Sequence, residues 1–227
     1  MTAALVLLLG VTAVLLPAGG RPAAWRGAGG RLGVAQVVVL VPGTLLGALA
    51  LGLPWWQTAA VAGLAGLWTV SAHLATGPRA TLGRWGTAIA VIVLCAVLQG
   101  GPQAAASRTA WLCQGAGLLL LLTTPANRAV TDLLAIARGR ARPDGDAQPG
   151  EASLRGGRWI GPLERLLLLL LVSAGMHAAV TAVIAAKGVI RFPEISRDEH
   201  GDKAEEFLIG SLASWALAVL AAVLLAR

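Results

Sequence analysis

The side chains able to do chemistry in this 227-residue sequence gather in its last third. Glu164 and Arg165 stand where a polar segment passes into a long apolar run. As a buried pair they could handle a proton or a headgroup. As an interfacial helix start they would simply be hydrated, with Glu164 favoured by the helix dipole. His177 lies eleven residues into the apolar stretch 166–186, with Ser173 at i−4 and Thr181 at i+4. On one continuous helix these three form a polar stripe near the bilayer centre. Such a stripe serves either a functional titratable group or a hydrogen bond between helices. Lys187 and Arg191 follow one turn apart, and the segment after them is strongly charged. Asp202-x-x-Glu205 has the form of a capping box. Glu205 and Glu206 could pair with Lys187 or Arg191, tying two helix ends together, against a plain reading of snorkelling and solvation. Gly210-x-x-x-Ser214 is a small-residue face suited to helix packing.

The usual constellations are missing. No nucleophile–base set, paired intramembrane carboxylates or phosphate loop is present, so no cofactor is expected. Asp198, His200 and Asp202 could touch a metal, but an exposed cluster without a rigid shell makes a poor site, and none is expected. Cys95 and Cys113 form no CxxC. They fall in adjacent apolar runs at similar depth, where two buried thiols are favoured over a disulfide.

The elements that must position these residues follow from composition. Hydrophobic residues make up 56% and charged residues 13%, about half the charged share of an ordinary soluble domain. The mean hydropathy is +0.74. A soluble enzyme and a disordered chain are both excluded by that balance. The reading is an all-α polytopic transmembrane helical bundle of six to seven spans without β-sheet. Its apolar runs are continuous rather than alternating. The expected spans are about 2–19, 32–53 (interrupted at Pro42-Gly43), 57–75, 86–100, 109–125, 163–186 and 207–226. The segment 127–138 has helical spacing of Val130, Leu133, Leu134 and Ala137 and is read as an amphipathic helix at the inner surface. Three units result: a five-span half, 1–137; a flexible cytoplasmic linker, 138–158, rich in Gly, Pro and charge; and a two-span hairpin, 159–227.

Net charge is +7, yet seven arginines and no carboxylate precede Asp132. These basic residues occupy short loops between apolar runs. They signal topology and contact with anionic lipid rather than nucleic acid. The arginine-rich loops 20–31, 76–85 and 126–158 are placed in the cytoplasm. Loop 187–206 is then outside, the N-terminus outside and Arg227 inside. The first segment has no basic n-region and is read as a retained span; if it does not cross, the N-terminus moves inside. Trp55, Trp56 and Trp111 fall at expected outer ends, and Trp25, Trp85 and Trp159 at inner ends. Trp68 and Trp215 lie deeper, as packing residues.

Three ordered C-terminal motifs carry a family resemblance. They are GRWIGPLERLLLLLLV (157–172), AAKGVIRFPEI (185–195) and AEEFLIGSLASWALAVL (204–220), preceded by TTPANRAVTDLLAIAR (123–138). Together they resemble the bacterial membrane-protein family of unknown function numbered 3307. The likeness covers roughly 90 residues, and three motifs in order make chance a poor explanation. It carries over Gly157, Arg158, Gly161, Glu164, Arg165, Lys187, Arg191, Phe192, Glu205 and Gly210. Members usually open with a His and a downstream Asp-Phe in the first helix, with further His and Asp later. Here the first 131 residues hold only His73 and no acid. The resemblance implies membrane architecture and no reaction.

The expected function is a non-catalytic component or regulator of a bacterial inner or plasma membrane, with the lipid bilayer and a protein partner or second copy as its contacts. A small-solute transporter or channel is the alternative suggested by Pro42-Gly43 and His177, since broken helices often mark substrate sites. A membrane enzyme acting on a lipid or isoprenoid through Glu164 and Arg165 is the third reading.

Overall fold

The computed structural model describes residues 1–15, 40–45, 47–75, 77–98, 108–139, 157–196 and 201–226. The loops 20–31 and 101–107, most of the linker, Trp25, Asp198 and His200 lie outside the described residues, as do the side chains of Arg158 and Asp202. Among the described residues every regular element is a helix, as continuous apolar runs require. The helices are α1 (Thr2–Leu15), α2 (Leu40–Leu51), α3 (Trp55–Leu74), α4 (Pro78–Leu98), α5 (Arg108–Leu122), α6 (Thr124–Ala137), α7 (Gly157–Ser173), α8 (His177–Ile195) and α9 (Asp202–Leu225).

Two of these are long and apolar enough to cross a membrane, α4 and α9 from Ala204 on; α5 and α6, bent by 41° at their junction, would together make a third. Six to seven spans is therefore more than the described helices support. Many large apolar side chains face outward on α3 and α4, among them Leu67, Val70, Leu74, Leu94, Val97 and Leu98. Such a surface suits hydrocarbon rather than water.

At the centre lies α1. It is apolar on all sides, and ten of its fourteen residues are buried. α1 packs on α5, and residues 16–19 of the expected first span lie outside the described residues. The two backbones meet at Gly10 and Gly117, where an added Cβ on Gly117 would stand 2.6 Å from the Val6 carbonyl. Only glycine permits that approach. Pro42 and Gly43 lie within α2, and residues 32–39 of the expected second span lie outside the described residues.

α4 starts eight residues before the expected span, so most of the anticipated loop 76–85 is helical. Arg84 is the reason. Its Nη1 donates to the Ala75 carbonyl at 2.6 Å and the Ser71 carbonyl at 3.2 Å, capping the C-terminus of α3. Trp85 is not an interfacial ring. It packs edge-to-face on buried Trp68, with centroids 6.3 Å apart. Trp55, Trp56, Trp111 and Trp159 are exposed at or near helix starts.

α6 departs from the expected surface helix. It packs against α4, α5 and α9, and Asp132 is buried in it. The bend before it comes from Pro125. That ring lacks an N–H, clashes with the carbonyl four residues back and disfavours a helical Thr124.

The largest revision concerns the run 163–186. It is two helices. Gly175 has φ +70°, its N–H bonds the Val172 carbonyl at 3.0 Å, and the Met176 N–H bonds the Leu171 carbonyl at 2.9 Å. These two bonds form a Schellman motif that ends α7. α8 then runs back along α7, and α9 returns alongside α7. The C-terminal unit is therefore three antiparallel-sequential helices rather than a two-span hairpin.

Candidate functional site

The site sits where α7, α8 and α9 meet the α5–α6 bend. α7 begins at Gly157, five residues before Pro162, so Glu164 and Arg165 lie well inside a helix rather than in its first turn. Being adjacent, they point in different directions, and each finds a separate set of partners.

Arg165 is 1% exposed, the largest of the fully buried side chains. Its Nε donates to the Leu122 carbonyl at 2.7 Å and its Nη1 to Ser214 Oγ at 3.1 Å. Its Nη2 donates to the Thr123 carbonyl at 3.3 Å and to Asn127 Oδ1. The bend frees carbonyls at the end of α5, and the guanidinium fork satisfies them. A cation at a helix C-terminus also opposes the dipole. Gly161 leaves the room: a Cβ there would meet Asn127 Oδ1 at 2.8 Å and Arg165 Nη1 at 3.3 Å.

Glu164 turns to the other side. Its Oε2 accepts from Lys187 Nζ at 2.6 Å and its Oε1 from Trp215 Nε1 at 2.8 Å. The ammonium of Lys187 also lies 5.5 Å from the Trp215 ring centroid and 5.8 Å from that of Phe207. Those are cation–π distances. Side-chain exposure of the ion pair is 26% for Lys187 and 11% for Glu164. One carboxylate thus joins α7, α8 and α9.

The expected partners are rearranged accordingly. Lys187 pairs with Glu164, not with Glu205 or Glu206. Glu206 instead forms an ion pair with Arg138 at the end of α6, and Glu205 is exposed. Gly201 with φ +78° is the N-cap of α9 and Asp202 is its first residue, one place inside the position that the capping box expected. Gly210 faces Leu134 and Val130 of α6, and Ser214 is buried against Arg165. The small-residue face was expected to pack on the run 163–186; Ser214 meets Arg165 of that run, whereas Gly210 lies against α6. The His177 stripe does not exist: the break at 174–176 puts His177 at the start of α8, and Ser173, His177 and Thr181 are all exposed. Thr181 Oγ1 bonds the His177 carbonyl of its own helix at 3.1 Å. Arg191 is exposed on α8. Cys95 and Cys113 are both free thiols. Among the described residues no group of His, Cys, Asp and Glu could hold a metal ion.

Two ion pairs join groups that were expected apart. Arg138 and Glu206, expected on opposite faces of the bilayer, are in contact, as are Glu164 and Lys187. The end of α6 and the start of α9 therefore lie at the same end of the bundle.

Sequence reasoning missed Asn127, Ser214 as an arginine partner, and the carbonyls of Leu122 and Thr123. Thr-Thr-Pro at 123–125 was the available signal, since proline there had to free carbonyls that some donor must meet. No family model matches the chain, no curated protein matches it, and no solved structure matches it.

Proposed function

We propose that this chain is a non-catalytic component of a bacterial cell membrane that holds a protein partner against its C-terminal helices. One observation carries the reading. The charged groups of the candidate site serve internal contacts, while α8 buries none of its described side chains and exposes Val189, Ile190 and Phe192 by 72, 74 and 66%. Arg165 serves two backbone carbonyls and two side chains, and Glu164 serves Lys187 and Trp215. Such a cluster stiffens three helices and offers no displaceable nucleophile or base. The bend at Thr123 has the broken-helix form found at transporter ion sites, but a tethered guanidinium already fills the place a cation would take.

The membership in the family numbered 3307 belongs to this proposal and rests on the C-terminal motifs. Orientation belongs to it too. With the arginine-bearing linker inside, both ends that flank it are cytoplasmic and the C-terminal end of α9 is outside.

The test is affinity purification of the full chain from membranes in mild detergent, with Val189→Ser/Ile190→Ser/Phe192→Ser as comparison. The expected result is a stoichiometric partner lost from the triple variant while Glu164→Gln retains it. Turnover of a lipid or isoprenoid that Glu164→Gln abolishes in a folded protein would replace the proposal with the enzyme reading. A preparation that contains this chain alone, before and after the triple substitution, would overturn it.

A further inference from the structure

Glu164, Phe207 and Trp215 make a compartment that needs nothing from α8 to keep its form. Glu164 stands on α7 and the two rings on α9, and α7 packs more closely on α9 than either does on α8. Trp215 Nε1 donates to Glu164 Oε1 at 2.8 Å, which orients the carboxylate whether or not its other oxygen has a partner. That other oxygen, Oε2, accepts from the ammonium of Lys187 at 2.6 Å. The same ammonium lies 5.5 Å from the Trp215 ring centroid and 5.8 Å from that of Phe207. A carboxylate beside two aromatic faces is the chemistry that recognises an ammonium. It supplies one charge-assisted hydrogen bond and the negative faces of the rings.

The present occupant is loosely held. Lys187 belongs to α8, which buries none of its described side chains and joins α7 through Gly175 at φ +70°. Its four-carbon stem is flexible, so the ammonium can leave without the helix moving. Its side chain is 26% exposed, whereas that of Glu164 is 11% exposed. A carboxylate so far withdrawn from water is costly unless a cation faces it, so the compartment calls for a second ammonium whenever Lys187 departs. Arg165 does not supply that charge. It is held on the other side of α7 by the Leu122 carbonyl and Ser214. The compartment also lies close to polar surroundings, because Phe207 follows Glu206, whose ion pair with Arg138 is part-exposed.

We infer that Glu164, Phe207 and Trp215 form a binding site for a primary organic ammonium, which exchanges with Lys187 as the internal occupant. A primary amine suits the site because Glu164 Oε2 accepts a hydrogen bond that a quaternary ammonium has no N–H to donate. The ethanolamine headgroup of a bilayer lipid and a free amine in solution share that chemistry. The site goes beyond the docking role proposed for α8 and does not depend on its protein partner. Loss of ammonium binding would leave capture of a partner by Val189, Ile190 and Phe192 intact.

The experiment uses the full chain, with isotope-labelled tryptophan, in bilayer discs of phosphatidylglycerol, a lipid without an ammonium. The indole N–H resonance of Trp215, assigned with Trp215→Phe, is followed by NMR. In one arm ethanolammonium chloride is added to the solution, with equal sodium chloride as control, since salt alone screens a part-exposed ion pair. In the other, phosphatidylethanolamine is added to the discs, with phosphatidylcholine as control. A saturable shift in either arm that its control does not reproduce is the expected result, and the arm that gives it names the source. Lys187→Ala removes the internal competitor and should bind roughly tenfold tighter. Glu164→Gln should lose binding. The site is overturned if neither arm shifts the resonance beyond its control, if Lys187→Ala binds no tighter than wild type, or if Glu164→Gln binds like wild type. If Lys187→Ala does not fold, the comparison of wild type with Glu164→Gln decides alone.

Discussion

Two arginines close two helix ends in this protein, and they do so in different surroundings. Arg84 reaches back to the carbonyls of Ser71 and Ala75 across a tight turn, at half-exposed positions only nine and thirteen residues away. Arg165 reaches the carbonyls of Leu122 and Thr123 at a bend more than forty residues earlier, and it is 1% exposed. The chemistry is the same, a guanidinium against the negative end of a helix. The setting decides its weight. At Arg84 water or headgroups can replace the side chain. At Arg165 nothing can, because Ser214, Asn127 and the surrounding helices exclude solvent. A local cap shapes one turn, whereas a buried one ties α5, α6, α7 and α9 together.

The largest effect is expected from Arg165→Ala. It leaves two buried carbonyls unmet and a cavity behind, a loss of about 3–5 kcal/mol. Thermal unfolding in detergent should show a large drop in midpoint or failure to assemble. Arg165→Lys keeps the charge but not the fork, so about 1–3 kcal/mol should be lost. If Lys is neutral there, charge alone suffices and the geometric account fails.

Gly175→Ala comes next. A side chain at φ +70° costs about 1–2 kcal/mol. Should this variant instead be more stable than wild type, the α7–α8 break would not persist and 163–186 would be one helix. The Glu164–Lys187 pair is partly exposed and so is weaker. A double-mutant cycle with Glu164→Gln and Lys187→Met should give a coupling of about 1 kcal/mol, reduced by salt. A coupling of zero would separate α8 from α7. Arg84→Ala is the smallest change, about 0.5 kcal/mol. A value near that of Arg165→Ala would erase the contrast between the two ends.

Much of the fold could be read from residue order. The all-helical class follows from continuous apolar runs, and α3, α5 and α9 begin within a few residues of their expected starts. The bend at Pro125 and the turn at Gly175 are also written locally, one as a missing N–H and the other as a freely adopted positive φ. They were obscured because hydropathy averages over a window and carries no backbone information. Leu166–Ala186 stays apolar straight through the Schellman turn, so the average cannot see it.

The site was legible as a set of residue types and not as a set of partners. Glu164, Arg165 and Lys187 stand out in sequence because charge is rare in apolar surroundings. Sequence alone therefore determined the helical class, the apolar outer surface and the residues worth watching, since each follows from what a side chain or a short segment costs by itself. Only tertiary structure decided that Glu164 meets Lys187, that Arg165 meets Leu122 and that Arg138 meets Glu206. Each of those contacts closes a loop of 23 to 68 residues, and the free energy that selects one closure over another comes from the simultaneous packing of all the helices, which no local pattern records.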